Sequence, residues 1–178
     1  MKEIERAKRI LEKAKEFIVF DVETTGFSAT ENQIIQLSAI KVNSEMKIID
    51  KFQTLIKPLD KLPEDIKKIT GFTDEDFRHA PEEENIANDI VNFFGTKPLV
   101  VGHNIPFDNR FLQALYERAG YSYCPISLDT LKMSKEACEK PHRLSVMIQR
   151  FNIVVDGDFH NADTDVLATF ELLKKFIS

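Results

Sequence analysis

Hydrophobic and polar positions change period several times along the chain. Over residues 1–16 apolar side chains recur at Ile4, Ala7, Ile10 or Leu11, and Ala14, the spacing of one helical face, with charges around them. The pattern predicts a short amphipathic helix, packed on the domain or on whatever precedes it, its charged face solvated. Contact of its Lys and Arg with nucleic acid is the rival reading. Three strand-like segments come next: FIVFDV at 17–22, QIIQLSAIKV at 33–42 and IIDKFQTLIK at 48–57. Short links join them, so an antiparallel meander is expected.

After Pro58 the period turns helical. PEDIKKIT has a proline-led start, and TDEDF opens with Thr73 as an N-cap candidate. Residues 82–94 place Ile86, Ile90, Val91 and Phe94 on one face. PLVVGH at 98–103 is a short apolar run suited to a buried strand, and the helix that follows aligns Phe107, Phe111, Leu115 and Ala119. SLDTL at 127–131 is expected as one more strand, and HRLSVMIQRF as one more helix. The last segment, ADTDVLATFELLKKFI, turns Ala162, Val166, Phe170, Leu173 and Ile177 inward. Strands first, then strands alternating with helices, predict an α/β domain with a mixed sheet flanked by helices.

Composition narrows the function classes. The chain has 178 residues, 43% of them apolar, enough for one domain with a real core. A net charge of −5 argues against a basic protein that coats nucleic acid or anionic lipid. The first residues lack the continuous apolar segment of a signal peptide or membrane span. Cys124 and Cys138 have no metal-type spacing and read as reduced thiols. The expectation is a soluble cytoplasmic domain.

Against that background the stretch FDVETTG at 20–26 stands out. In a strand, residues i and i+2 share a face roughly 6.6 Å apart, so Asp21 and Glu23 point to one side with Phe17 and Val19 behind them. Two anions on a half-buried face repel, and a divalent cation is their simplest partner. Oxygen ligands without a nearby His or Cys favour Mg²⁺ or Mn²⁺ over Zn²⁺. The bland alternative is a solvated pair at a strand end. Thr24, Thr25 and Gly26 then form a tight turn whose backbone N–H groups are expected to be free for a phosphate or sugar. Further on, Asn104 is placed to cap the helix that carries Asp108 near its N-terminus, where an Asp also complements the helix dipole. FHNADTD adds His160, Asp163 and Asp165 at the start of the last helix.

Taken in order, FDVETTG, the His103–Asp108 segment HNIPFD and the His160–Asp165 segment HNADTD resemble the motifs of the DnaQ-like 3′→5′ exonucleases of the DEDDh type. The resemblance covers residues 17–178, leaving 1–16 as a helical extension. The stretches VFDVETTGFSA, ITGFTDE and HRL look most like the proofreading exonuclease domain of PolC-type DNA polymerase III. It implies a ribonuclease-H-like fold, with a five-stranded mixed sheet, and a two-metal phosphodiesterase using Mg²⁺ or Mn²⁺.

By resemblance, Asp21, Glu23, Asp108 and Asp165 are the metal carboxylates and His160 the general base. Periodicity alone does not dismiss Asp163, which lies near the apolar face of the helical wheel; the family's five-residue spacing from His160 selects Asp165. Five helical residues turn about 140°, so His160 is expected on the loop before the helix. Val22, Thr24, Thr25, Gly26 and Phe27 are expected around the terminal nucleotide, with His103 and Asn104 nearby. Phe27 and Phe107 are the candidates to stack on its base and sugar; for Phe107 a core role competes. Thr70 stands where many relatives carry His, which touches substrate contacts rather than chemistry.

The implied partners are single-stranded DNA 3′ ends, with polymerase III subunits or the rest of a PolC chain. The same chemistry on RNA, as in the RNase T and oligoribonuclease branches, is the alternative; it requires a contact to a 2′-OH. A non-catalytic nucleic-acid-binding module is a third reading, against which the intact carboxylates and His160 argue.

Overall fold

The computed structural model describes residues 2–155 and 161–178. Among them a five-stranded sheet forms from β1 (Glu16–Thr24), β2 (Ile34–Asn43), β3 (Ile48–Leu55), β4 (Leu99–Gly102) and β5 (Ile126–Asp129), in the order β3-β2-β1-β4-β5. The expected meander is present: β1, β2 and β3 pair antiparallel, while β4 and β5 join parallel to β1.

Helices cover both faces, and side-chain alternation along β1 sets which residues meet them. Ile18, Phe20 and Val22 face α3 (Glu83–Phe94) and α4 (Ile105–Arg118), packing with Ile90, Phe94, Phe111 and Leu115. Phe17 and Val19 face the other way, with Ile40 and Val42 of β2, onto α7 (Ala162–Ile177). The same layer holds α1 (Glu3–Leu11), α5 (Thr130–Ala137) and α6 (Leu144–Arg150). A third cluster, Ile35, Leu62, Ile66 and Phe77, joins β2 to α2 (Glu64–Thr70) and a 3-10 turn at Asp74–Phe77. There Thr73 donates from both its N–H and its hydroxyl to the Asp76 carboxylate.

Two sequence expectations change. The segment SLDTL is not all strand: β5 stops at Asp129, whose carboxylate accepts the Leu131 N–H and starts α5. An aspartate satisfying an otherwise orphan helical N–H is a stronger signal than the brief apolar alternation of that segment. Secondly, α1 ends at Leu11, so Ala14 lies beyond it. The helix packs on the body of the domain, with Ala7 fully buried and Ile4, Ile10 and Leu11 against the α7 layer. Cys124 and Cys138 are free. No helix among the described residues is long and apolar enough to cross a membrane.

Candidate active site

The site forms where the core layer of α7 runs out along β1. Register places Phe17 opposite Val42, Val19 opposite Ile40, Asp21 opposite Ser38 and Glu23 opposite Gln36. The face that is apolar at Phe17 and Val19 therefore becomes acidic two residues later, still under α7. The first turn of that helix brings Asp165 down onto it. Oxygens of Asp21, Glu23 and Asp165 lie within 4.8 Å of one another. Asp163, two residues earlier on the same turn, is not in that group; it lines a small cavity of about 100 Å³ with Ser38, Lys51 and Gln53.

Asp108 arrives from the opposite layer. β4 pairs with β1 only at Ile18 and Val19, so β1 runs on past the end of its parallel neighbour. The chain leaving β4 turns into α4, and Asp108 in its first turn accepts the Val22 N–H at 3.2 Å. The carboxylate is 3% exposed. It satisfies the Val22 N–H of β1 and stands close enough to raise the pKa values of Asp21 and Glu23.

The electrostatics of the cluster are set by burial and by the closeness of its carboxylates to one another. Burial, with repulsion from Asp108, Asp165 and Glu23, pushes Asp21 well above the usual carboxylate range. Burial and the charges of Asp165 and Asp108 raise Glu23 to about 8. Asp108 also reaches about 8, chiefly through burial; Asp129 and Asp165 add to this, while N–H donors including that of Val22 oppose it. Carboxyls held together at such cost fit a divalent cation, which oxygen ligands of this kind bind.

The turn after β1 differs in detail from the sequence expectation. Thr24 is buried, and its hydroxyl donates to the Gly26 carbonyl at 2.6 Å. The Thr25 N–H is not free: it donates to the Gln33 carbonyl, while its hydroxyl accepts the Gln33 N–H. Gly26 lies so close to Asn32 that an added Cβ would sit 2.5 Å from its Oδ1. Asn32 also accepts the Ser28 N–H, closing the loop. Beyond this braced turn Phe27 is 78% exposed, its ring 6.5 Å from Phe107. Phe107 in turn packs 5.0 Å from the buried Phe111. Thus Phe107 is half core and half platform, and Phe27 stands in solvent beside it.

Asn104 occupies the N-cap position of α4, but no capping bond comes from its side chain. Its backbone has φ 74°, in the left-handed region that Asn tolerates, and its N–H donates to Asp129. His103 is tied down at both nitrogens, to Thr130 Oγ1 at 2.9 Å and the His142 carbonyl at 2.8 Å. Burial lowers its pKa. It links β4 to α5 and the loop before α6. His160 lies outside the described residues.

Two buried polar residues of this region escaped the sequence reading. Asp129, 3% exposed, holds the Asn104 and Leu131 N–H groups; the signal was an Asp followed by Thr-Leu at a strand end. Gln36, 7% exposed, lies across from Glu23; its signal was one amide inside the apolar run IIQLSAI.

Known proteins share this frame. A family model for RNase T, described as exonuclease, matches residues 18–173. The DNA polymerase III PolC-type of Halalkalibacterium halodurans is 37% identical over 166 residues, 91% of this chain and 11% of that protein. That of Bacillus subtilis is 35% identical over 176 residues, covering 96% and 12%. The chain thus spans about a tenth of the length of these relatives. Among solved structures, E. coli exonuclease I in complex with a dT13 oligonucleotide superposes with a TM-score of 0.78 at 22% identity. The match covers 91% of this chain and 41% of that one. At that identity the likeness shows the fold, which is ribonuclease-H-like.

Proposed function

Because the chain belongs to the RNase T family of exonucleases, we propose that it removes nucleotides one at a time from the 3′ end of single-stranded or frayed DNA. In this reading it acts as the proofreading activity of a PolC-type DNA polymerase III, releasing nucleoside 5′-monophosphates. The observation that carries the chemistry is the convergence of Asp21, Glu23 and Asp165 within 4.8 Å beside buried Asp108. The DNA reading is supported by the PolC-type relatives, which are 33–37% identical.

The residues divide the work by position. Asp21, Glu23, Asp108 and Asp165 would hold two Mg²⁺ or Mn²⁺ ions. Such ions would supply a water acidic enough to be deprotonated at neutral pH and an offset for the charge on the departing 3′-oxygen. Phe27, exposed next to Phe107, offers a face to the terminal base, as aromatic side chains do with single strands. The braced turn from Thr24 to Gly26 and the neighbouring Val22 backbone wall the nucleotide pocket. His103 and Asn104 hold the start of α4, and so Asp108, in place. His160 takes the proton from the attacking water. A buried acidic site also fits the acidic chain, since the phosphates are met by cations rather than by a basic surface.

Oligomers of DNA and RNA, 5′-labelled and incubated with Mg²⁺ or excess EDTA, test the reading directly. The expected product is a ladder of DNA shortening one nucleotide at a time in Mg²⁺, with no shortening in EDTA. Undiminished hydrolysis in EDTA removes the metal mechanism, and cuts within a circular single strand remove the exonuclease. Faster degradation of the RNA moves the assignment to an RNA substrate.

A further inference from the structure

Gln36 is an uncharged amide buried in β2 one strand away from the acidic site, and it grips the start of α7. Its Oε1 accepts the Ala162 N–H at 3.1 Å, and its Nε2 donates to Asn161 Oδ1 at 3.4 Å. Asn161 is the N-cap of α7, and the same Oδ1 accepts the Asp163 N–H at 3.0 Å. Gln36 and Asn161 together therefore satisfy two of the N–H groups that a helix leaves orphaned at its beginning. For Ala162 this matters because the residue is fully buried, where solvent cannot take the place of the missing acceptor.

The position of this grip relative to the carboxylates is specific. Gln36 pairs directly with Glu23 across the β1–β2 register, and both side chains face α7. Ala162 and Asp165 are three residues apart, neighbours one turn along the same side of the helix. The lower part of α7 is fixed by Phe170, Leu172, Leu173 and Phe176 in the core. Its upper end, which carries Asp165, is referenced to the sheet through Gln36.

We propose that Gln36 is a positioning residue: by holding the first turn of α7 it sets where Asp165 stands relative to Asp21 and Glu23. The proposal rests on the reading that these carboxylates bind divalent metal. It requires Gln36 to act through Asp165, which distinguishes it from general support of the fold.

Mn²⁺ binding without substrate, followed by electron paramagnetic resonance, supplies the test on the full chain. Gln36→Met keeps the length and removes both hydrogen bonds. It is expected to weaken Mn²⁺ binding about tenfold, the low end of the effect of residues that orient metal ligands. In an Asp165→Ala background the same substitution is expected to add nothing. Gln36→Glu keeps an oxygen for the Ala162 N–H and is expected to bind Mn²⁺ at least as tightly as the parent, so it serves where Gln36→Met folds poorly. Unchanged affinity in Gln36→Met, effects that multiply in the double variant, or weakened binding by Gln36→Glu each overturn the positioning role. A parent chain that takes up no Mn²⁺ overturns the metal reading on which the proposal stands, and that outcome is separate from a parent that binds and a Gln36→Met variant that binds equally.

Discussion

Asp163 and Asp165 share one helical turn, yet mutation is expected to separate them. Only Asp165 has an oxygen within 4.8 Å of both Asp21 and Glu23, while Asp163 faces a small cavity over β2 and β3. Asp165→Ala is therefore expected to lower the exonuclease rate by several orders of magnitude, and Asp163→Ala to keep most of it. Rates on one 5′-labelled strand decide this, and equal losses in both would place the metal site elsewhere on α7. His160→Gln bears on the proton transfer. The expected fall in kcat is about 10²–10⁴-fold, the usual worth of a general base, with Mn²⁺ and DNA affinity nearly unchanged. A fall in melting temperature with near-normal kcat would instead make His160 a packing residue.

At the scale of elements, much of the site was legible because period-2 alternation fixes a face. Once FIVFDVE is a strand, Asp21 and Glu23 must lie on the side of Phe17 and Val19, and that side is the one α7 covers. Other parts depended on geometry that no period encodes. Asp108 joins the site because β1 outruns β4 and leaves the Val22 N–H for α4 to satisfy. The choice of Asp165 over Asp163 came from resemblance, since the helical wheel puts Asp163 near the apolar face and Asp165 only towards its edge. The helix α5 was missed because its eight residues begin with Thr and follow a genuine strand, so the cap at Asp129 was the only cue. The N-terminal helix gives a stability prediction at this scale. Ala7 is fully buried and Ile4, Ile10 and Leu11 pack on the α7 layer; the Glu3 carboxylate also accepts the Asp129 N–H and pairs with Arg6. Three half-buried aliphatic side chains are together worth about 3 kcal/mol. Deleting residues 2–13 is then expected to lower the melting temperature by roughly 6–12 °C, and an unchanged melt would show that α1 adds nothing to the domain.

For the whole molecule the acidic site makes stability depend on pH and metal together. Without metal, Glu23 and Asp108 have folded-state pKa values of about 8, and Asp21 is also raised, whereas in the unfolded chain carboxylates titrate near their ordinary values of about 4. Between those limits the folded state holds more protons than the unfolded one, so stability falls as pH rises. The contribution is fully present below about pH 4 and is lost as the pH climbs through about 8. Other carboxylates pull the opposite way: Asp74, held by Lys67 and the Leu62 N–H, and Asp76, held by Thr73, have lowered pKa values and lose their contribution in acid. Those two act below the ordinary carboxylate range, and buried His103, whose pKa is lowered, pulls the same way up to the ordinary histidine value of about 6.5, which leaves the window from about pH 7 to 9 to the raised groups. Thermal melts in EDTA across that window are expected to show a melting temperature that declines towards alkaline pH. Mg²⁺ should reverse the decline, and more strongly at pH 8 than at pH 6, because its ligands must lose their protons to bind it. Replacing Glu23 by Gln removes one of the titrating groups and should flatten the metal-free profile. A metal-free melting temperature that rises from pH 7 to pH 9, or a Mg²⁺ effect larger in acid, would show that these carboxyls do not stand in the folded protein as a strained, proton-holding cluster.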